Sequence, residues 1–196
     1  MTSQILSSSQ ASSKTTSQAT SQASSKKLAK SAINQSTEQF LAFSLTNSPT
    51  NTQKALLPTK QLLEIVNVNL TQITAIAGLA SPSVMGIYNW RGDVIWVVDL
   101  ASMLGDKPLY AQEYNLGNFQ DKCHIIFLRS QDTVLGFAVA KVWQMVRCEP
   151  SSIQPANLGF ANQAAMQACR GYWLSDKNET FLVLDGNAIA QIVCSR

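Results

Sequence analysis

Apolar residues along this chain of 196 residues gather in short runs, not in a helical rhythm. Phe40-Leu41-Ala42-Phe43-Ser44-Leu45 is almost continuously apolar and is closed by Asn47, Ser48 and Pro49, which predicts a buried strand. Leu56 and Leu57 open a second run. Leu62-Leu63-Glu64-Ile65-Val66 reads as a third, with one charge inserted. Ile87 to Trp90 and Val94 to Val98 flank Arg91-Gly92-Asp93, which predicts a hairpin turn with glycine at positive φ. Asp99, then Leu100 to Leu104, then Gly105, predicts a short helix capped by Asp99 and stopped by Gly105.

The pattern then repeats. Cys123 to Leu128 matches the run around Phe40, and Phe137 to Val146 overlays Leu57 to Val66 residue for residue. This places Val142 on Leu62, Gln144 on Glu64 and Met145 on Ile65; Ile153 falls on Ile73. The offset then grows by a few residues, so that Gly171 matches Gly86 and Asp185 matches Asp99. Phe181-Leu182-Val183-Leu184-Asp185 echoes Ile95-Trp96-Val97-Val98-Asp99. Two similar small β units follow, and short strands with few long helices point to barrels or a sandwich. A barrel of about five strands closes its own edges and suits this length. The one segment that reads as more than a helical turn, Asn162 to Cys169, is placed in a loop between late strands of the second unit.

Composition adds a boundary. Residues 1–36 are dominated by Ser, Thr, Gln and Ala, too little apolar surface to offset the entropy of ordering them, and predict a disordered tail. Residues 37–196 form the predicted folded part, with about 37–115 as a first barrel half and about 120–196 as a second. Net charge is +3, yet Lys14, Lys26, Lys27 and Lys30 precede the first acid, Glu38, so the folded part is nearly neutral. That is not the basic surface of a nucleic-acid-binding domain. Apolar residues make up 45% of the chain, enough for a sizeable core.

Four cysteines, Cys123, Cys148, Cys169 and Cys194, form no close pair, and the chain has one histidine, so neither a metal nor a cofactor is expected. No apolar stretch approaches the roughly 20 residues that cross a bilayer, and the first ten residues lack a secretory pattern. A cytoplasmic protein with reduced thiols is expected.

Catalytic chemistry finds little support. His124 lies within an apolar strand, and its neighbour Cys123 must face the other way because strand side chains alternate. No phosphate-cradling glycine motif occurs, and the acids are scattered singly. Candidate binding features are Glu64 among apolar neighbours and the corner Asn89-Trp90-Arg91-Gly92, since Arg and Trp concentrate at interface hot spots. Each also has a plain alternative: Glu64 as the solvent face of its strand, Arg91 as a solvated turn residue.

The stretch from Val84 to Leu100 resembles the signature of CheW-like domains: a glycine, Asn89-Trp90-Arg91-Gly92, a strand, then Asp99-Leu100. Leu62-Leu63-Glu64-Ile65-Val66 resembles the strand that precedes it in that family, and Gly136 to Val139, Ile153 to Pro155 and Gly171-Tyr172 extend the match over roughly residues 38–194. The resemblance implies two packed SH3-like five-stranded barrels without catalytic activity. It also implies an adaptor between the cytoplasmic tip of methyl-accepting chemoreceptors and a CheA-type histidine kinase, at receptor arrays, without inserting into the membrane. On that model a receptor hairpin lies in an apolar groove between the barrels, and the partner-binding residues are Leu62, Glu64, Ile65, Val84, Asn89, Arg91 and Gly92. Glu64 and Arg91 are expected to approach each other and fix the groove's shape.

Departures from the family pattern are Ala77 for a usual proline, Ala140 and Gln144 for acids, and bulky Trp90, Trp96 and Trp143. They suggest service in phototaxis or pilus-based motility instead of flagellar chemotaxis. The reading from a different class is a barrel that binds nucleic acid through its basic tail.

Overall fold

The structure, a computed structural model, describes residues 37–46, 52–79, 81–114, 118–119, 121–155 and 162–194. The tail expected over residues 1–36 therefore lies outside the described residues. Strands β1 (Glu38–Ser44) and β2 (Lys54–Pro58) form a hairpin, followed by β3 (Leu62–Asn69), β4 (Val84–Trp90) and β5 (Asp93–Asp99). Helix α1 (Leu100–Met103) and a small ribbon, β6 (Glu113–Tyr114) with β7 (Asn118–Phe119), lead to a second hairpin, β8 (Lys122–Ser130) and β9 (Thr133–Val139). Then come β10 (Lys141–Cys148), α2 (Gln163–Ala168), β11 (Cys169–Leu174), β12 (Thr180–Leu184) and α3 (Gly186–Cys194).

The larger strands make two five-stranded sheets, in the orders β10-β1-β2-β12-β11 and β3-β8-β9-β5-β4. Exchange hairpin β1–β2 for β8–β9, and β3, β4, β5 for β10, β11, β12, and one order becomes the other. The repeat read from the sequence is thus a repeat of topology. Each sheet wraps its own apolar interior, Phe40, Ala42, Leu56, Phe181 and Val183 in one and Ile95, Val97, Ile125, Phe127 and Ala138 in the other. These are the two five-stranded barrels expected.

Strand pairing crosses the expected division into one barrel half over 37–115 and another over 120–196. Hairpin β1–β2 pairs with β10 and, in parallel, with β12; hairpin β8–β9 pairs with β3 and, in parallel, with β5. Each barrel joins a hairpin from one repeat to three strands from the other. The apolar runs show what this arrangement buries. Leu41, Phe43, Leu57, Ile126, Leu128, Leu135 and Phe137 alternate with the barrel-lining residues and form a third core shared by both barrels. A hairpin apolar on both faces needs cover on both, and the barrel interior and the shared core supply it.

Helices cap that shared core. Asp99 is 1% exposed; its Oδ1 accepts from Ser102 N at 3.1 Å and its Oδ2 from Leu109 N at 2.7 Å, so the predicted cap is present, and Gly105 follows at φ +92. Burial pushes the Asp99 carboxyl above its ordinary value despite these donors. Asn162 caps α2 by accepting from Ala165 N at 2.7 Å. Helix α3, the longest of the described residues, was not expected; its cap is Asp185, which accepts from Asn187 N and Ala188 N.

Two matched glycines mark where each barrel closes. Gly86 (φ +146) and Gly171 (φ +156) sit at strand irregularities in β4 and β11, beside the bridges Thr74–Ile87 and Gln154–Tyr172. A Cβ on Gly86 would stand 2.1 Å from the Thr74 carbonyl oxygen, and one on Gly171 2.2 Å from that of Gln154. Neither backbone can yield without breaking its bridge. Gly86→Ala and Gly171→Ala are each expected to lower stability by about 1–3 kcal/mol in chemical denaturation, the range for strained backbone at a position that suits only glycine.

Candidate functional site

The corner between β4 and β5 is a two-residue turn, Arg91-Gly92, flanked by the pair Trp90–Asp93. Both turn residues have positive φ, 56° and 93°, as a turn matched to strand twist requires. The sequence reading placed glycine there but not that Arg91 shares the left-handed backbone. Asn89 holds the turn, its Oδ1 accepting from Gly92 N at 3.1 Å.

The opposite edge of the sheet brings Glu64 to this corner. A register shift between Leu62 and Glu64 inserts Leu63 as an extra residue in β3. With the bulge, Leu62 and Ile65 both pack against the shared core while Glu64 meets the β4–β5 turn. The same irregularity recurs in β10, where Ala42 and Phe43 pair with Gln144 and Val142 and leave Trp143 extra.

Three donors converge on Glu64 Oε2: Trp90 Nε1 at 2.8 Å, Arg91 Nε at 3.1 Å and the second guanidinium nitrogen at 2.9 Å. Trp90 in turn stacks on Phe127, with ring centroids 4.8 Å apart, and the Arg91 guanidinium lies 5.2 Å from the Trp90 ring. Sequence reasoning singled out the tryptophan but did not place it in the candidate set. Its position beside Arg91 was visible; its reach across the sheet to Glu64 was not.

The seven candidate residues do not form one patch. Glu64, Asn89, Arg91 and Gly92 meet at the corner, whereas Leu62, Ile65 and Val84 flank the shared core. Val84 and Arg91 stand at opposite ends of β4, roughly 20 Å apart at a strand's rise per residue. Val84 lines a cleft of about 390 Å³ with Val98, Met103, Ala164, Ile192 and Val193, rimmed by Ser81, Ser83 and Ser102. A second cleft of about 440 Å³ meets it along Ser81, Pro82 and Val84 and is lined by Ile73, Ile76, Leu79 and Tyr110. Among the described lining residues the only ionisable acid is Asp99, already occupied by backbone donors. The first groove is mainly apolar, with hydroxyls and the amides of Asn162 and Gln163 in its lining; the second is about equally polar and apolar.

Candidate catalytic groups stand apart from these surfaces. Cys123 is buried, and burial pushes its thiol up to about 12, far from a nucleophilic thiolate. Burial also holds His124 below its ordinary value. Among the described residues no group of three His, Cys, Asp or Glu side chains is arranged to hold a metal ion, and no helix is long and apolar enough to cross a membrane.

Paired barrels, a charge-clasped corner and two adjoining clefts define a β scaffold that presents surfaces to its surroundings. The family model described as CheW-like domain matches residues 48–193, and the chain belongs to that family, the scaffold proteins of chemotaxis. A search among curated proteins finds no match. Among solved structures, the scaffolding protein TtCheW from Thermoanaerobacter tengcongensis is similar in fold: TM-score 0.58 and 20% identity, over 76% of this chain and 88% of that one.

The Glu64–Arg91 pair is open to water, with side-chain exposures of 33% and 70%, so it contributes little to folding. Glu64→Ala is expected to change stability by no more than about 1 kcal/mol in thermal or denaturant unfolding. A larger loss makes the corner part of the barrel's structural closure.

Proposed function

We propose that this chain is a non-catalytic adaptor coupling the cytoplasmic tips of methyl-accepting chemoreceptors to a CheA-type histidine kinase. The observation that carries the reading is the Glu64–Arg91 corner in a CheW-like chain whose mainly apolar cleft is lined by Val84. A helical receptor hairpin suits grooves of this kind: its apolar side fills the clefts, and its polar side meets the hydroxyl rim. Leu62, Glu64, Ile65, Val84, Asn89, Arg91 and Gly92 remain the proposed partner-binding residues. Since the corner and the Val84 cleft lie at opposite ends of β4, they serve as two separate contact points. The adaptor works in the cytoplasm at membrane-bound receptor arrays, needs no cofactor, and serves a chemotaxis, phototaxis or pilus-motility pathway.

Charge balance after residue 36, eleven Lys and Arg against twelve Asp and Glu with four of the cations drawn into ion pairs, also favours a protein partner over nucleic acid. Lys54 pairs with Glu179 at 2.5 Å, Lys60 and Arg170 with Glu38 at 3.2 and 3.8 Å, and Arg91 with Glu64. Phosphate binding calls for free cations gathered on one face, and its affinity falls steeply with salt.

Affinity purification of the tagged chain from its native cell is expected to recover a histidine kinase and a coiled-coil receptor; recovery of nucleic acid in a salt-sensitive complex overturns the reading. Arg91→Ala is expected to weaken binding to a receptor or kinase fragment by about 1–3 kcal/mol in calorimetry, a hot-spot magnitude, with the fold intact by circular dichroism. Unchanged affinity reduces Arg91 to a turn residue.

A further inference from the structure

Both hydrogen bonds to Glu64, and its ion-pair contact with the Arg91 guanidinium, fall on one oxygen. Trp90 and both Arg91 nitrogens take Oε2, while Oε1 receives no hydrogen bond from the described residues. An ionised carboxylate has about four acceptor sites over its two oxygens, so half of this group's capacity remains open at a partly exposed position. The guanidinium cannot by itself fix that orientation. It is 70% exposed, and long exposed ion pairs exchange geometry readily. Trp90 differs, because its ring is stacked on Phe127, a residue with no exposed surface, and its N–H direction is set by that stacking.

We propose that Trp90 is a positioning residue of the corner: its indole N–H pins Glu64 Oε2 and leaves Oε1 as the acceptor for an N–H donor on the docked partner. This deepens the docking reading and rests on it. It also gives the large aromatic beside Arg91 a specific task, holding a carboxylate at the rim of a protein contact, where filling volume alone needs no N–H. A phenylalanine keeps the stacking surface and removes the one donor, so Trp90→Phe separates the two roles.

The experiment has two arms on the full chain. In the first, the indole N–H resonance of Trp90 is followed by NMR in Glu64→Gln, which leaves Trp90 untouched. The resonance is expected to move clearly, since its acceptor changes from a charged to a neutral oxygen; no movement overturns the proposal. In the second, a recombinant chemoreceptor cytoplasmic fragment is titrated against the unsubstituted chain and Trp90→Phe at low and moderate salt. Affinity is expected to fall about tenfold, the size of a charge-assisted hydrogen bond's contribution. The loss should widen with salt, because only an exposed ion pair then orients Glu64. Equal affinity and equal salt dependence overturn the positioning role. Failure of the unsubstituted chain to bind the fragment overturns the docking reading and the acceptor role with it, while the resonance still reports whether Trp90 holds Glu64.

Discussion

Two hairpins that are apolar on both faces govern this molecule. Each strand of β1–β2 and β8–β9 sends alternate side chains into a barrel interior and into the core shared by both barrels. With the barrels packed on this shared core, neither hairpin shows a greasy face to water. Apolar burial contributes roughly 25 cal/mol per Å², so a face of leucines and phenylalanines is a strong reason for the two barrels to pack together. The parallel pairings of β2 with β12 and β5 with β9 are the seams of the hairpin exchange.

The corner that carries the functional reading depends on the same arrangement. Phe127, on exchanged strand β8, is the platform on which Trp90 of β4 stacks. Glu64 arrives on β3, held beside β8 by the pairing of Glu64 with Phe127. Thus the hairpin borrowed from the second repeat organises a site whose polar residues all come from the first. In the other barrel the matching bulge carries Trp143, and the residue matched to Glu64 is Gln144. There Lys54 lies 4.9 Å from the Trp143 ring and pairs with Glu179. The duplicated frame therefore carries two chemically distinct corners.

Much of this was legible in the residues, and the gaps have physical causes. The strands were readable because Phe40 to Leu45 and Cys123 to Leu128 are uninterrupted apolar runs, and such runs mark strands covered on both sides. Matched positions such as Gly86 with Gly171 and Asp99 with Asp185 showed the duplication, and they prove to be matched closures and matched helix caps. The exchange of hairpins was not legible, because local pattern reports which faces are buried and not which neighbour buries them. Helix α3 was missed although Asp185 announced it, since β-branched Ile189, Ile192 and Val193 resemble a strand by propensity. For the site, the meeting of Glu64 and Arg91 was anticipated from family resemblance. That Val84 lies a strand's length from Arg91, and that the Trp90 indole completes the clasp, required the three-dimensional pairing.

The crossing of strands has a mechanical meaning. In an ordinary two-lobed protein the lobes are joined by a tether and can swing, so force arriving at one is partly lost in the joint. Here two separate sheets press on one shared apolar core, and among the described strands the chain passes from one barrel to the other at β2–β3 and again at β9–β10. What resists a swing between the lobes is therefore the broad greasy contact they share, and not a tether.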